Sequence, residues 1–271
     1  MVLVHGGRDH GRSWDWVAQE LRRDFHIIAP DLHGHGNSAW SDNGCYTNAS
    51  FVFDLAQLIE FLQLAPVVII GHSLGGSISL RYAGLYPAKV RKLVAIEGLG
   101  HKTPAQVRRE SKPLAERWHH WIAERQRLCE QPERHFPTFD GALGRMRTAN
   151  RNLSPEQARH LTLHGLRQRR DGTYSWKFDP YFRALAPVDL SVNELRGLWT
   201  AIECPTMLAW GRNSWASNPA QDGNLQHFRD ARLAVFERAG HWLHHDRFDA
   251  FIDAVRRFLA QNDDMNRIES Y

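Results

Sequence analysis

Short apolar runs alternate with amphipathic stretches along the first hundred residues. Met1-Val2-Leu3-Val4, Phe25-His26-Ile27-Ile28-Ala29, Pro66-Val67-Val68-Ile69-Ile70 and Lys92-Leu93-Val94-Ala95-Ile96 have strand length. Near-continuous apolar runs of this kind belong to strands covered on both faces. Between them, Ser13 to Leu21, Asn48 to Leu64 and Ser77 to Tyr86 have helical patterns, with Ser13 placed to cap the first and Pro87 closing the third. Strands and helices alternating over short links predict an α/β fold, a mostly parallel sheet with helices on both faces.

The alternation then stops. From residue 101 to 197 the chain reads as helical, with patterns at Pro104–Leu128, Ser154–Arg170 and Ser191–Leu198. Pro132, Pro137, Pro155, Pro180 and Pro187 punctuate it. Strand patterns return at Thr206–Trp210 and Leu233–Glu237, followed by a helix from about Phe248 to Leu259 and a polar tail, Gln261–Tyr271, expected to fray. The expected organisation is one α/β core, residues 1–100 and 198–271, interrupted by a helical insertion, 101–197.

Charge sharpens this division. The chain of 271 residues has a formal net charge of +4. Residues 101–197 hold 18 Lys/Arg against 11 Asp/Glu, or +7, and the remainder holds 16 against 19, or −3. The positive insertion is either a solvated face or an attraction for anionic substrates. Basic stripes interleaved with stacking aromatics are missing, as are nucleic-acid motifs, so no nucleic-acid partner is expected. No apolar stretch reaches transmembrane length and no signal-peptide pattern opens the chain. Cys45, Cys129 and Cys204 are odd in number and unrelated in spacing, which points to a reducing, cytoplasmic setting and no zinc site.

The chemistry concentrates at Gly71-His72-Ser73-Leu74-Gly75-Gly76, a G-x-S-x-G pattern between a strand and a helix. A strand, a sharp turn and a helix are the context of a nucleophile elbow, which lifts the serine hydroxyl above the sheet edge. Ser73 is the candidate nucleophile. Ala239-Gly240-His241-Trp242 lies between the last strand and last helix, which puts His241 at the same sheet face as candidate base; His244 and His245 are expected at the surface or behind it. The N–H of Leu74, next to the nucleophile, and that of Gly7, in the loop after the first strand, are the candidate oxyanion donors. Histidines at adjacent positions of Trp118-His119-His120-Trp121 point apart and make no metal site. The tryptophans there either line a pocket or pack in a core.

His5-Gly6-Gly7, Pro30-Asp31-Leu32-His33-Gly34-His35-Gly36-Asn37-Ser38, the elbow and Gly240-His241-Trp242 together resemble the α/β-hydrolase superfamily, in an order that covers almost the whole chain. The resemblance implies that the helical middle is a cap, that Asp31 braces a turn, and that no cofactor or metal is needed. It also implies a catalytic acid after the Thr206–Trp210 strand, where this chain reads Gly211-Arg212-Asn213-Ser214 without a carboxylate. Asn213 or Ser214 could orient an imidazole but supplies no charge. Two acids remain: Glu97, at the strand end beside the elbow and used by branches such as haloalkane dehalogenases, and Asp222, further along the usual loop. Glu97 is preferred. Similar chains carry two antiparallel strands before the His-Gly strand, and the expectation here is that both are absent. Phe25–Ala29 would then be an exposed edge strand open to self-association.

The function implied is hydrolysis of a carboxylic ester, lactone or thioester of a small molecule through a Ser-His-acid triad and an acyl-enzyme. Serine at the elbow argues against epoxide-hydrolase or dehalogenase chemistry, which needs a carboxylate nucleophile. Two alternatives stay open: C–C bond hydrolysis or a lyase reaction with the same triad, and a ligand-binding protein with little turnover.

Overall fold

In the computed structural model, the residues described are 1–99, 112–131, 134–184, 186–261 and 268–271. Six strands form one sheet in the order β1 (Val2–Val4), β2 (Val67–His72), β3 (Val90–Ile96), β6 (Thr206–Gly211), β7 (Ala231–Phe236), β8 (Ile268–Ser270), and every neighbouring pair is parallel. Side chains alternate across it. Val2, Val4 and Ile69 join one apolar cluster with α2 (Asn48–Phe61), α3 (Leu74–Leu85) and Trp199 of α7 (Val192–Ala201). Leu3, Ile70 and Val94 join the opposite cluster with α1 (Asp15–Leu21) and α9 (Phe248–Ala260). Burial on both faces explains why β2 and β6 read as unbroken apolar runs.

Three sequence expectations change near the ends of the chain. Ser13 does not cap α1; a 3-10 turn over Gly11–Trp14 precedes that helix, Ser13 is buried and Trp14 enters the core. Phe25–Ala29 forms no extended strand. It makes one bridge to β1, Val2 to Ile28, with the Leu3 N–H donating to Ile28 O at 2.8 Å and the Ile28 N–H to Met1 O at 3.0 Å. Phe25, Ile27 and Ala29 still pack onto the core. The polar tail does not fray at its end: β8 pairs with β7, and the Tyr271 ring stacks on Phe236 at 5.3 Å. That pairing is made by backbone groups, which a polar side-chain pattern does not reveal.

Between β3 and β6 lie α4 (Leu114–Glu130), α5 (Phe139–Ala149), α6 (Pro155–Gly165) and α7. Residues 104–111 of the first expected helix fall outside the described residues. α6 stops at Gly165, and a hairpin of β4 (Leu166–Gln168) and β5 (Tyr174–Trp176) follows it. Gly172 takes φ +83°, so Asp171-Gly172 was the turn signal for that hairpin. α7 runs across residue 198 and packs on the elbow helix, where a β-carbon on Gly84 would meet Leu198 O. Among the described residues no helix is long and apolar enough to cross a membrane.

Histidines are buried throughout this core. His5, His35, His72, His244 and His245 have at most 5% of their surface exposed. Burial disfavours the imidazolium form and holds all of them below the ordinary value of 6.5, His35 at about 4 and His245 at about 3. The unfolded chain therefore binds protons that the folded chain refuses. Stability present above pH 6.5 should fall as pH drops toward 4, by up to about 1.4 kcal/mol per histidine per pH unit. Denaturant melts between pH 7 and 5 test this; a flat profile would contradict it.

Candidate active site

Gly7, Ser73, Leu74, Glu97 and His241 follow the carboxyl ends of β1, β2, β3 and β7 and face one cleft, which Asp222, beyond the end of β6, does not line. β2 ends at His72, and Ser73 takes φ +52° and ψ −111° before α3 begins. The turn leaves no room for side chains at its glycines. A β-carbon on Gly71 would lie 2.5 Å from the Gly75 carbonyl oxygen, and one on Gly75 would run into the carbonyl of Val4. The Ser73 N–H donates to Ile96 O at 2.8 Å, which ties the elbow to the end of β3.

The loop after β1 runs alongside. A β-carbon on Gly6 would sit 3.4 Å from Ser73 Cβ, and one on Gly7 would sit 4.0 Å from Leu74 Cβ. Leu74 opens α3, so its N–H has no partner within the helix. His5 fixes this loop from below: its Nε2 accepts the Leu32 N–H at 2.9 Å and its Nδ1–H donates to Gly6 O at 2.7 Å. Asp31 braces the neighbouring turn by accepting the Gly11 N–H at 2.7 Å and the Asn37 N–H at 2.8 Å.

Glu97 follows β3 with φ +49° and a fully buried side chain. Its Oε2 meets His241 Nδ1 at 2.5 Å and accepts Ser214 Oγ–H at 2.6 Å, while Oε1 accepts the Gly211 N–H at 3.0 Å. A buried carboxylate needs such donors. The loop expected to hold the acid thus holds a hydroxyl that serves a different acid. Asp222, the other candidate, accepts Ser217 Oγ–H at 2.8 Å and the Asn224 N–H at 2.9 Å, and does not line the cleft.

Sequence reasoning missed two neighbours of His241. The His72 Nε2–H donates to His241 O at 2.9 Å, and burial together with the His241 ring holds His72 well below its ordinary pKa. The Trp215 ring lies 4.6 Å from the imidazole. The residue before Ser73 in G-x-S-x-G was a signal for the first; Trp215 carries none. His244 and His245, expected at the surface or behind the base, are buried, and His244 stacks on Trp14 at 4.8 Å.

Ser73, Gly7, Leu74, Glu97 and His241 line one cleft of about 2870 Å³. α4 presents Arg117, Arg125, Leu128 and Cys129 to it. Trp118 and Trp121 face elsewhere: Trp118 is 41% exposed, and Trp121 Nε1–H donates to Ala184 O at 3.3 Å. Away from the cleft, ligand atoms of Asp15, His160 and His164 approach within 4.8 Å of one another. Asp15 there already pairs with Arg12 at 2.6 Å and His160 with Asp15 at 3.2 Å.

The fold and these residues have counterparts. Residues 1–248 match the family model described as alpha/beta hydrolase fold. The chain is 27% identical over 267 residues to esterase Rv0045c of Mycobacterium tuberculosis, covering 96% of this chain and 82% of that one. A structure of that esterase superposes with a TM-score of 0.77 over 96% of this chain and 84% of that one, at 26% identity. A 3-hydroxybutyrate-oligomer hydrolase of Cupriavidus necator is 31% identical over 226 residues, 79% of this chain and 72% of its own. A 2-hydroxy-6-oxo-2,4-heptadienoate hydrolase of Pseudomonas putida is 26% identical over 97% of this chain and 90% of its own. With its parallel sheet, its serine elbow and a family match over most of its length, the chain belongs to the alpha/beta hydrolase fold family.

Proposed function

We propose that this protein hydrolyses carboxylic esters of small molecules through Ser73, His241 and Glu97, by way of an acyl-enzyme. The observation that carries this reading is the buried Glu97 carboxylate on His241 Nδ1, in a cleft shared with Ser73. With Nδ1–H held by Glu97, the other ring nitrogen is the basic one. Ser73 Oγ attacks the substrate carbonyl while His241 Nε2 takes its proton. The N–H groups of Gly7 and Leu74 hold the oxygen as it becomes anionic. His241 returns the proton to the leaving alcohol, then activates water to release the acid. The strained backbone at Ser73 and Glu97 fits groups fixed in place before substrate arrives. The stretch 101–197 acts as the cap that selects the substrate, since α4, α5 and the turn at Pro180–Arg183 supply part of the cleft wall.

The Pseudomonas putida relative favours a second reading. Its named substrate is a hydroxy-oxo-dienoate without an ester, so its hydrolysis breaks a carbon–carbon bond. The same triad would serve, and a substrate panel containing both bond types separates the two.

A fluorophosphonate should modify Ser73 in the folded protein, located by mass spectrometry, and Ser73→Ala should lose both label and ester turnover. Labelling elsewhere, with Ser73 unmodified, would remove the central residue of this reading. Glu97→Gln should lower kcat by roughly 10³–10⁴ by leaving the wrong imidazole tautomer. Asp222→Asn should stay within about twofold, because its hydrogen bonds are local to a turn. The reverse ranking in steady-state kinetics would transfer the acid's role to Asp222. Ser214→Ala removes one donor from Glu97 and should cost about tenfold in kcat/KM, a loss of about 1.4 kcal/mol.

A further inference from the structure

The cleft carries more positive charge than its pairing needs. Its acids are mostly engaged. Besides Glu97, Asp179 accepts Tyr46 Oη–H at 2.6 Å, Asp189 pairs with Arg81 at 3.0 Å, and Asp246 accepts the Gly240 N–H at 2.7 Å. Some arginines are also satisfied: Arg117 donates to Pro187 O and Arg125 to Gly44 O. Arg8, Arg145 and Arg183 line the same cleft with no hydrogen bond or ion pair among the described residues.

These three converge from separate parts of the chain. Arg8 directly follows Gly7 and takes φ +63°, a conformation that few non-glycine residues hold. Arg183 directly follows Phe182, whose ring lies against Gly7: a β-carbon there would be 2.8 Å from Phe182 Cε1. Arg145 precedes Met146 on α5, and Met146 and Arg8 together border a small pocket beside Trp176 and Trp242. The loop after β1, the turn at Pro180–Arg183 and α5 thus bring three arginines to the cleft that holds the proposed oxyanion donors. Burial and the like charges of Arg183 and Arg145 hold the Arg8 guanidinium below its ordinary pKa. An acid acting on Arg183, Glu124, is itself paired with Arg127; like charges gathered together repel, and an anion between them relieves that repulsion.

We propose that Arg8, Arg145 and Arg183 form an anion-binding pole at the oxyanion end of the cleft, which takes a carboxylate or phosphate carried by the substrate apart from the bond that is cleaved. The proposal deepens the esterase reading and rests on it for turnover, whereas binding of an anion stands independently of catalysis. The preferred substrates are therefore esters of dicarboxylic acids, or esters whose alcohol carries an acidic group.

Two measurements test the pole. Glutarate and inorganic phosphate, each compared with sodium chloride at equal ionic strength, should raise the melting temperature of the wild-type protein. The rise should vanish in Arg145→Gln/Arg183→Gln, whose changed side chains are exposed and leave the core intact. Glutarate alone acting identifies a carboxylate site, and phosphate alone a phosphate site. In turnover, mono-p-nitrophenyl glutarate and 3-carboxy-4-nitrophenyl valerate are compared with p-nitrophenyl valerate. The ratio of kcat/KM for the better anionic ester over the neutral one should fall about tenfold in the double variant. A wild-type melting temperature indifferent to both anions overturns the pole, whatever the turnover. An anion-dependent rise without hydrolysis of any ester would keep the pole and remove the esterase reading.

Discussion

Glu97 holds a carboxylate with no exposed surface, and such a group is tolerated only where donors surround it. It finds them because β3 lies beside β6 in the sheet. That adjacency brings the Gly211 N–H and the Ser214 hydroxyl to its two oxygens and leaves His241 Nδ1 against Oε2. Moving any of these strand ends would strand a buried charge or uncouple the imidazole. The sheet order and the site are therefore one constraint. The carboxyl group that meets His241 Nδ1 is also the group whose burial the neighbouring loops must satisfy.

The backbone bears the same imprint. Five non-glycine residues hold positive φ among those described, and three of them, Arg8, Ser73 and Glu97, stand at consecutive strand ends facing the cleft. Strain of this kind persists only where packing over-determines it. Here the packing is backbone against backbone. The elbow helix is pressed so closely onto β1 that a methyl group at Gly75 has nowhere to go. His5 and His72, buried and held below their ordinary pKa, lock the loops that flank the serine by hydrogen bonds. These two histidines act as buried structural residues.

The elbow, His241 and the parallel sheet were legible because each is written locally: a strand, a glycine-framed turn, a helix, and a histidine after the final core strand. Pairings by backbone alone were not. β8 has no apolar pattern and exists because β7 offers it an unsatisfied edge. The first strand of the β4–β5 hairpin was read as the end of a helix running to Arg170, and its turn signal, Asp171-Gly172, stands just beyond that stretch. Residues 25–29 have strand character, yet among the described residues they make a single bridge to β1, Val2 to Ile28. Trp118 and Trp121 are aromatic, but the face of α4 that meets the cleft is carried by Arg117, Arg125, Leu128 and Cys129.

By itself the sequence determined the architecture and placed Ser73, His241, Gly7 and Leu74, the candidate nucleophile, base and oxyanion donors, after core strands. These follow from short-range rules of periodicity, turn geometry and strand ends, which need no knowledge of distant contacts. It left Glu97 and Asp222 as competing acids and the excess positive charge as a property of a segment. Only the tertiary structure brought Glu97 to His241 while leaving Asp222 off the cleft, and only it brought Arg8, Arg145 and Arg183 to one cleft. The reason is physical: the choice of partner for a charge depends on which strand ends and loops meet in space, and residues 8, 97, 145, 183 and 241 meet there across more than two hundred positions of chain.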